Sequence, residues 1–238
     1  MTTVVFDRPS TDDVTLVIEA STSLGSLAVV RFGRCVGSNT VAMGASRDDG
    51  LFPAIQALLV ECALEPSDLT RVVCGAGPGS FTSLRIAAAL AKGLVHGTGA
   101  MLAGVSSLLL SAASAVERMP SDVTEMVVHS DALRGERYAQ RVHIDAARMV
   151  RPDGPVDRVA CDDLEAYCRG AARVAVTSSP VQEREAAVVL PAAGAIVGVA
   201  SWEELAAASL GAWEPVYGRL AEAQVVWERT HGHALPAV

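Results

Sequence analysis

The most constraining feature of the 238-residue sequence is a glycine-rich turn between an apolar strand and an apolar helix. Residues 71–74 are short, apolar and partly β-branched, which is typical of a strand that is covered on both faces. Gly75, Gly77 and Gly79 follow, and glycine allows backbone angles that other residues avoid. Residues 80–96 are then apolar almost all round. The sequence therefore predicts a buried strand, a tight turn (the glycine turn, residues 75–79) and a long buried helix.

The glycine turn lacks the residues that known phosphate-binding loops require. A Walker loop has a lysine and a serine or threonine directly after its last glycine, whereas the only lysine here, Lys92, lies about three helical turns downstream. The dinucleotide-binding pattern needs a third glycine at a spacing that Ser80 breaks. Amides at a helix N-terminus still favour anions. From the residues alone, an anion site and a plain turn capped by Ser80 or Thr82 are both open.

The turn and three later segments contain specific sequence motifs. The signature is Gly77, Pro78, Gly79, Ser80, Phe81 and Thr82, followed after one residue by Leu84 and Arg85. Supporting segments are residues 104–108, 131–138 and 214–219. Together they resemble the TsaB (YeaZ) family, which helps bacteria to make threonylcarbamoyladenosine beside the tRNA anticodon. The resemblance spans residues 14–219, although Glu19 and Ser83 stand where the family usually has aspartate and glycine.

A repeated strand-turn-strand pattern suggests two related lobes. Residues 14–18 predict a first strand, and Gly25 and Ser26 are expected to turn the chain into a hairpin. A similar unit covers residues 126–142, and it aligns when Gly25 is placed on Gly135. The family resemblance implies the same architecture: an α/β, duplicated ribonuclease-H-like fold, shared with actin, Hsp70 and sugar kinases, with a reduced second lobe.

These patterns predict the domain organisation of the chain. The expected units are a loose leader over 1–13, a first lobe over 14–110 completed by a returning helix near 202–212, a smaller second lobe over 111–201, and a surface tail over 213–238. The leader lacks a cationic start and an apolar core, so it does not resemble a signal peptide. The five cysteines show no CxxC pair and lie mostly in apolar runs, which indicates buried structural thiols in a reducing cytoplasm.

The two long predicted helices, at residues 51–64 and 80–96, are more apolar than one sheet requires. A helix of this kind is buried on more than one side, either in its own fold or against another chain. We expect their outer faces to form an interface, made by Phe52, Ile55, Leu59, Ala63, Leu84, Arg85, Ala88 and Ala91.

Catalytic constellations are hard to assemble from this sequence. No two of the five histidines share a helix face at metal-ligand spacing. The catalytic paralogue of the family carries an HxxxH pair on its first helix, whereas residues 47–50 here contain no histidine. Glu19 is expected to cap the first hairpin turn rather than to hold a metal. The charged residues of the second hairpin, Asp131, Arg134, Glu136 and Arg137, are expected in solvent, with Tyr138 packed inward.

The resemblance implies a non-catalytic subunit that docks on a TsaD-type transferase, with a TsaE-type ATPase joining them. It implies no intrinsic cofactor or metal, and it leaves open ATP or ADP at a partner interface. A formal charge of −8 argues that the chain reaches tRNA only through the complex. We expect a cytoplasmic protein without a membrane span that forms a homodimer when alone. Two alternatives are an ATP-dependent small-molecule kinase or ATPase, whose adenosine motif residues 192–195 match poorly, and a glycoprotease-like peptidase.

Overall fold

Two mixed β-sheets form the centre of the computed structural model, which describes residues 13–43, 50–177, 187–217 and 230. The first sheet has the order β3-β2-β1-β4-β5. Strands β1 to β3 form an antiparallel meander, while β4 and β5 run parallel to β1. Its strands are β1 (Val14–Glu19), β2 (Leu24–Arg31), β3 (Arg34–Ala42), β4 (Arg71–Gly75) and β5 (Met101–Val105).

The second sheet repeats this arrangement. Its order is β11-β10-β6-β7-β8, with β9 paired to β7. Here β6, β7 and β8 are antiparallel, and β10 and β11 run parallel to β6. The strands are β6 (Glu125–Leu133), β7 (Glu136–Ile144), β8 (Val150–Pro152), β9 (Asp157–Ala160), β10 (Ala172–Val176) and β11 (Ala187–Val189). The repeated order confirms the duplicated ribonuclease-H-like fold.

Four α-helices within residues 50–177 cover the sheets: α1 (Leu51–Glu61), α2 (Phe81–Thr98), α3 (Ser107–Ala115) and α4 (Leu164–Tyr167). Helices α1 and α2 pack on one face of the first sheet. Helix α3 packs on the second sheet, and one apolar cluster joins it to both sheets, as Val17, Leu108 and Val128 show. Helix α4 packs on the other face of the second sheet. Within the described residues, no helix is both long enough and apolar enough to cross a membrane.

The predicted strand, turn and helix around the glycine turn are confirmed as β4 and α2. The first hairpin differs from the prediction, because its turn lies before Leu24 and Gly25 is already part of β2. A Cβ on Gly25 would lie 3.1 Å from Sδ of Met43, so this glycine serves close packing and not the turn.

The predicted returning helix near 202–212 is wrong. Only Trp202–Glu204 is helical, as a single 3₁₀ turn, and the buried indole of Trp202 holds it against the core. The Ala208 amide then donates to the carbonyl of Leu102 on β5, at 2.7 Å. Bonding to the edge of the sheet replaces the intrahelical bonds that the alanines favour, so tertiary contacts override local propensity here.

The prediction of a surface tail is also wrong for residues 213–217, because these residues pack against the first lobe. We call residues 213–217 the strap. Trp213 packs against Gly104, and Pro215 is buried. The Val216 amide donates to the carbonyl of Ala76 in the glycine turn, at 2.7 Å. The leader before residue 13, residues 47–49 and the remainder of the predicted tail, apart from Thr230, lie outside the described residues.

Candidate functional site

The glycine turn uses its amides within the protein. The Ala76 amide donates to the Val105 carbonyl at 2.7 Å, and the Gly77 amide donates to Ser107 Oγ at 3.1 Å. The Ser80 amide donates to the Ser21 carbonyl at 2.7 Å. These three amides are therefore not available to an anion.

The cap of α2 differs from the prediction. Ser80 occupies the N-cap position, but its side chain accepts no hydrogen bond from the first turn of the helix. Its Oγ lies 3.0 Å from Oγ of Ser83 instead. Ser83 stands where the family usually has glycine, and this buried hydroxyl gives Ser80 a partner other than the helix amides.

Glu19, at the end of β1, is tied by hydrogen bonds to the first hairpin turn and to the start of α3. Its Oε1 accepts from the Ser21 amide at 2.6 Å, which confirms that it caps the hairpin turn. Its Oε2 accepts from Ser107 Oγ at 2.8 Å, and this tie to the start of α3 could not be foreseen from the sequence. Complete burial raises the pKa of the Glu19 carboxyl, an effect that its hydrogen bonds to Ser21 and Ser107 oppose.

Gly75 makes room for this buried carboxyl. A Cβ at position 75 would collide with Oε2 of Glu19 and approach Oγ of Ser107 to 3.2 Å. The glutamate in place of the family's aspartate is therefore accommodated by a glycine on the neighbouring strand β4. With both of its oxygens hydrogen-bonded inside the protein, the carboxylate serves the fold at this position.

A cleft of about 240 Å³ lies between the two lobes, and it is lined by Ser21 and Ser107, the hydrogen-bond partners of Glu19, but not by Glu19 itself. Its walls come from the first hairpin turn, the glycine turn, α3 and the second hairpin. Seven hydroxyl side chains line it: Ser21, Thr22, Ser80, Ser107, Ser111, Ser130 and Tyr138. Asp131 is the only charged side chain among the described lining residues. The lining therefore offers phosphate groups no cationic partner.

The predicted interface residues fall into two groups. Phe52, Ala63 and Arg85 are exposed, Phe52 to 47%. The other five are buried in the chain's own core, so their assignment to an interface is wrong: Ile55, Leu59, Leu84, Ala88 and Ala91. The first sheet needs a wider apolar face from each helix than a single stripe supplies.

The outward faces of α1 and α2 carry other small or apolar residues. On α1, Val60 is 76% exposed and follows Phe52 by about two helical turns. On α2, Ala89 and Gly93 are exposed and follow Arg85 at successive intervals of four residues. The sequence analysis did not include Val60, Ala89 or Gly93, although helical spacing from Phe52 and Arg85 would have identified them.

The second hairpin matches its prediction. Asp131 and Arg134 are exposed, and Asp131 Oδ1 accepts from the Leu133 amide at 2.8 Å, as a turn-forming aspartate does. Glu136 pairs with Arg158 at 3.4 Å, while Tyr138 is buried. Across the described part of the chain, no group of three His, Cys, Asp or Glu side chains is placed to hold a metal ion.

The cysteines only partly follow the expectation of burial. Cys74 and Cys168 are buried, and burial raises the pKa of the Cys74 thiol. Cys35 and Cys161 are exposed, because they lie on the edge strand β3 and directly after β9. All five thiols are free.

Topology and site together define a class: a two-lobed ribonuclease-H-like protein whose cleft, as far as its residues are described, has neither a metal-ligand cluster nor a cationic lining. Comparison with known proteins narrows the class. A family model for TsaD, tRNA N6-adenosine threonylcarbamoyltransferase, matches residues 47–156.

Curated relatives carry a more specific name. TsaB of Bacillus subtilis, a tRNA threonylcarbamoyladenosine biosynthesis protein, is 31% identical over 99 residues, which are 42% of this chain and 43% of that protein. TsaB of Escherichia coli is 29% identical over 123 residues, 52% of each chain. The chain thus spans about half the length of these curated relatives.

Solved structures agree on the fold. YeaZ from Pseudomonas aeruginosa superposes with a TM-score of 0.72 at 22% identity, covering 86% of this chain and 99% of that one. The chain is similar to TsaB proteins over about half of its sequence, and it shares the fold of YeaZ.

Proposed function

We propose that this chain is a non-catalytic subunit of a cytoplasmic complex that forms threonylcarbamoyladenosine in tRNA. Sequence similarity supports this function, because relatives in two bacteria are named as threonylcarbamoyladenosine biosynthesis proteins. The subunit docks on a TsaD-type transferase, and a TsaE-type ATPase joins the assembly. When no partner is present, the same surface pairs two copies of the chain.

The state of Glu19 carries the proposal that the subunit is non-catalytic. A carboxylate beside an interlobe cleft could position a metal-bound water for phosphate chemistry only if it reached the cleft. Glu19 is wholly buried behind the lining residues Ser21 and Ser107, and its two oxygens accept hydrogen bonds from them. The described lining of the cleft also offers no lysine or arginine for a phosphate. Nucleotide, if the complex uses it, binds at the partner interface.

Docking is assigned to the outward faces of α1 and α2. Phe52 and Val60 present apolar side chains, while Ala89 and Gly93 let a partner helix approach closely. A stable interface needs roughly 800 Å² from each partner, and two adjacent helices of this length can supply it. The formal charge of −8 indicates that most of the basic surface for tRNA comes from the partner.

Reconstitution tests this function. The chain, its host's TsaD-type and TsaE-type proteins, threonylcarbamoyl adenylate, ATP and tRNA are combined, and modified adenosine is measured by mass spectrometry. We expect modification with all proteins present, and little when this chain is omitted. The isolated chain should release no phosphate from ATP. Steady phosphate release by the pure chain that disappears in Glu19→Ala would show that the subunit is itself an enzyme.

A further inference from the structure

The guanidinium of Arg85, close to the glycine turn, contacts two aromatic rings. Arg85 lies in the second turn of α2, exposed, with Phe81 one turn before it. Its guanidinium carbon lies 4.1 Å from the centre of the Phe81 ring and 5.5 Å from that of Tyr217. The two rings are themselves in contact, with centres 4.6 Å apart. A guanidinium stacked on aromatic rings is attracted to their π-electrons and loses freedom of movement.

The N–H groups of Arg85 have no acceptor among the described residues. The described ion pairs join Arg141 to Glu125 and Arg158 to Glu136, both in the second lobe. Contact with the rings occupies one side of the guanidinium, and because Arg85 is exposed, an acceptor from another molecule can still reach its N–H groups. Such a fixed fork matches a carboxylate, which it can bind through two parallel hydrogen bonds.

The strap holds this arrangement in place. Tyr217 is the last residue of the strap, which is fixed by the Val216 amide bond to Ala76 and by Trp213 against Gly104. A Cβ on Gly77 would lie only 2.7 Å from the carbonyl oxygen of Val216. The strap can therefore pack against the glycine turn because residue 77 has no side chain. The signature turn thus positions Tyr217, and Tyr217 positions Arg85.

Arg85 also stands at the end of the docking face described above. Residues 85, 89, 93 and 97 follow each other at four-residue intervals, and those after Arg85 are alanine, glycine and glycine, all exposed. A Cβ on Gly93 or Gly97 would meet nothing within 4 Å. A partner helix lying along this row would bring its own side chains beside the guanidinium.

From this geometry we propose that Arg85, positioned by Phe81 and Tyr217, is the receptor for a carboxylate side chain on the docking helix of the TsaD-type partner. The proposal rests on the proposed function, because it names the chemistry of that docking surface. The cation selects an acidic partner residue and fixes the register of the partner helix at one end of the small-residue row.

The test measures binding of the TsaD-type partner by calorimetry at several salt concentrations. Arg85→Gln should weaken binding about tenfold to a hundredfold, as for a lost charge-assisted bond, and should reduce the salt dependence. Arg85→Lys keeps the charge and loses the fork, so it should bind less tightly than the wild type while retaining its salt dependence.

Variants of Tyr217 test whether binding depends on the position of the Arg85 guanidinium as well as on its charge. Tyr217→Phe keeps the ring and should bind as the wild type does. Tyr217→Ala should weaken binding by about twofold to fivefold through loss of the stacking platform. Arg134→Gln is the matched control, since it removes one exposed arginine from the second hairpin, and it should leave both affinity and salt dependence unchanged.

The outcomes distinguish this inference from the proposed function. If the wild type binds and Arg85→Gln binds equally well with the same salt dependence, Arg85 is no carboxylate receptor, although docking stands. If Arg85→Gln weakens binding only when ADP is present, the arginine serves a nucleotide phosphate and the proposal is wrong. A wild type that does not bind the partner at all contradicts both.

Discussion

At the scale of residues, the buried carboxyl group of Glu19 links the first hairpin turn to the start of α3. Glu19 is wholly buried and accepts hydrogen bonds, but it has no described cationic partner, so its charge is costly to keep inside the protein. The sequence predicted its role at the hairpin turn, because an acid at the end of a strand before Ser21 can cap the next amides. Its bond to Ser107 joins residues far apart in the chain, which no local pattern encodes.

The free energy of unfolding of Glu19→Gln, measured relative to that of the wild type, should increase as the pH rises. Burial raises the folded-state pKa of the carboxyl above its ordinary value of 4.5, so the folded protein holds this proton more tightly than the unfolded chain does. The wild-type carboxyl therefore costs stability increasingly from about pH 4.5 up to its folded-state pKa. Glutamine is neutral and can donate to Ser107.

Urea unfolding of both proteins between pH 5 and 8.5 checks this prediction. Glu19→Ala is the control, because it removes the hydrogen bonds and leaves a cavity, and it should be less stable at every pH. A difference between Glu19→Gln and wild type that shrinks as the pH rises would contradict the account.

Arg148 is a second residue whose importance lies in hydrogen bonds across the fold. Its guanidinium donates to four backbone carbonyls after α3, those of Val116, Met119, Pro120 and Val123, at 2.8 to 3.3 Å. Arg148→Gln should lower the free energy of unfolding by about 2–3 kcal/mol, because several partly buried carbonyls lose a charged donor. Arg151→Gln, at an exposed neighbouring position, should change it by less than about 0.5 kcal/mol. Equal values for the two variants in denaturant unfolding would refute this role.

At the scale of elements, the sequence predicted most of what is regular. The strands β1 and β4 and the helix α2 lie within about two residues of their predicted bounds, because an apolar run shows the type of element and the glycines beside it show where the element ends. Residues 202–217 could not be predicted in this way. Their conformation depends on hydrogen bonds to Leu102 and Ala76, which are distant in the sequence.

The candidate site was predictable to a similar degree. Phe52 and Arg85 were correctly expected at the surface, since their helix positions lie away from the sheet. Leu59, Leu84 and Ala91 were assigned to the wrong face. The period of a helix says that residues share a stripe, but it does not say how wide a stripe the sheet will cover.

Gly104→Ala should detach the strap at its first residue. A Cβ at this position would lie 2.7 Å from Nε1 of Trp213, so the indole must move. We expect a loss of about 1–3 kcal/mol in the free energy of unfolding, as for overpacking, together with a changed tryptophan fluorescence. Gly93→Ala is the matched control on the open face of α2. It should raise the stability by up to about 1 kcal/mol, because alanine favours helix. A Gly104→Ala protein as stable as wild type, with unchanged fluorescence, would show that Trp213 does not pack there.

At the scale of the whole molecule, two lobes share one apolar core while the outer face of the first lobe carries unpartnered apolar residues. Under the proposed function, the cleft between the lobes performs no chemistry, and the outward faces of α1 and α2 bind a partner protein. The same surface should serve a two-fold homodimer and a heterodimer, so the two assemblies should compete.

The central claim is that these helices are the docking surface. The most direct measurement is calorimetric titration of the TsaD-type partner with wild type, Phe52→Asp and Val188→Asp, each checked for folding by circular dichroism. Phe52→Asp places a charge on the outer face of α1, and Val188→Asp places one at an exposed position of the second sheet. The account predicts that Phe52→Asp loses most of its binding, because a buried unpaired charge is costly, while Val188→Asp binds as the wild type does. A folded Phe52→Asp protein that binds the partner with wild-type affinity would contradict it.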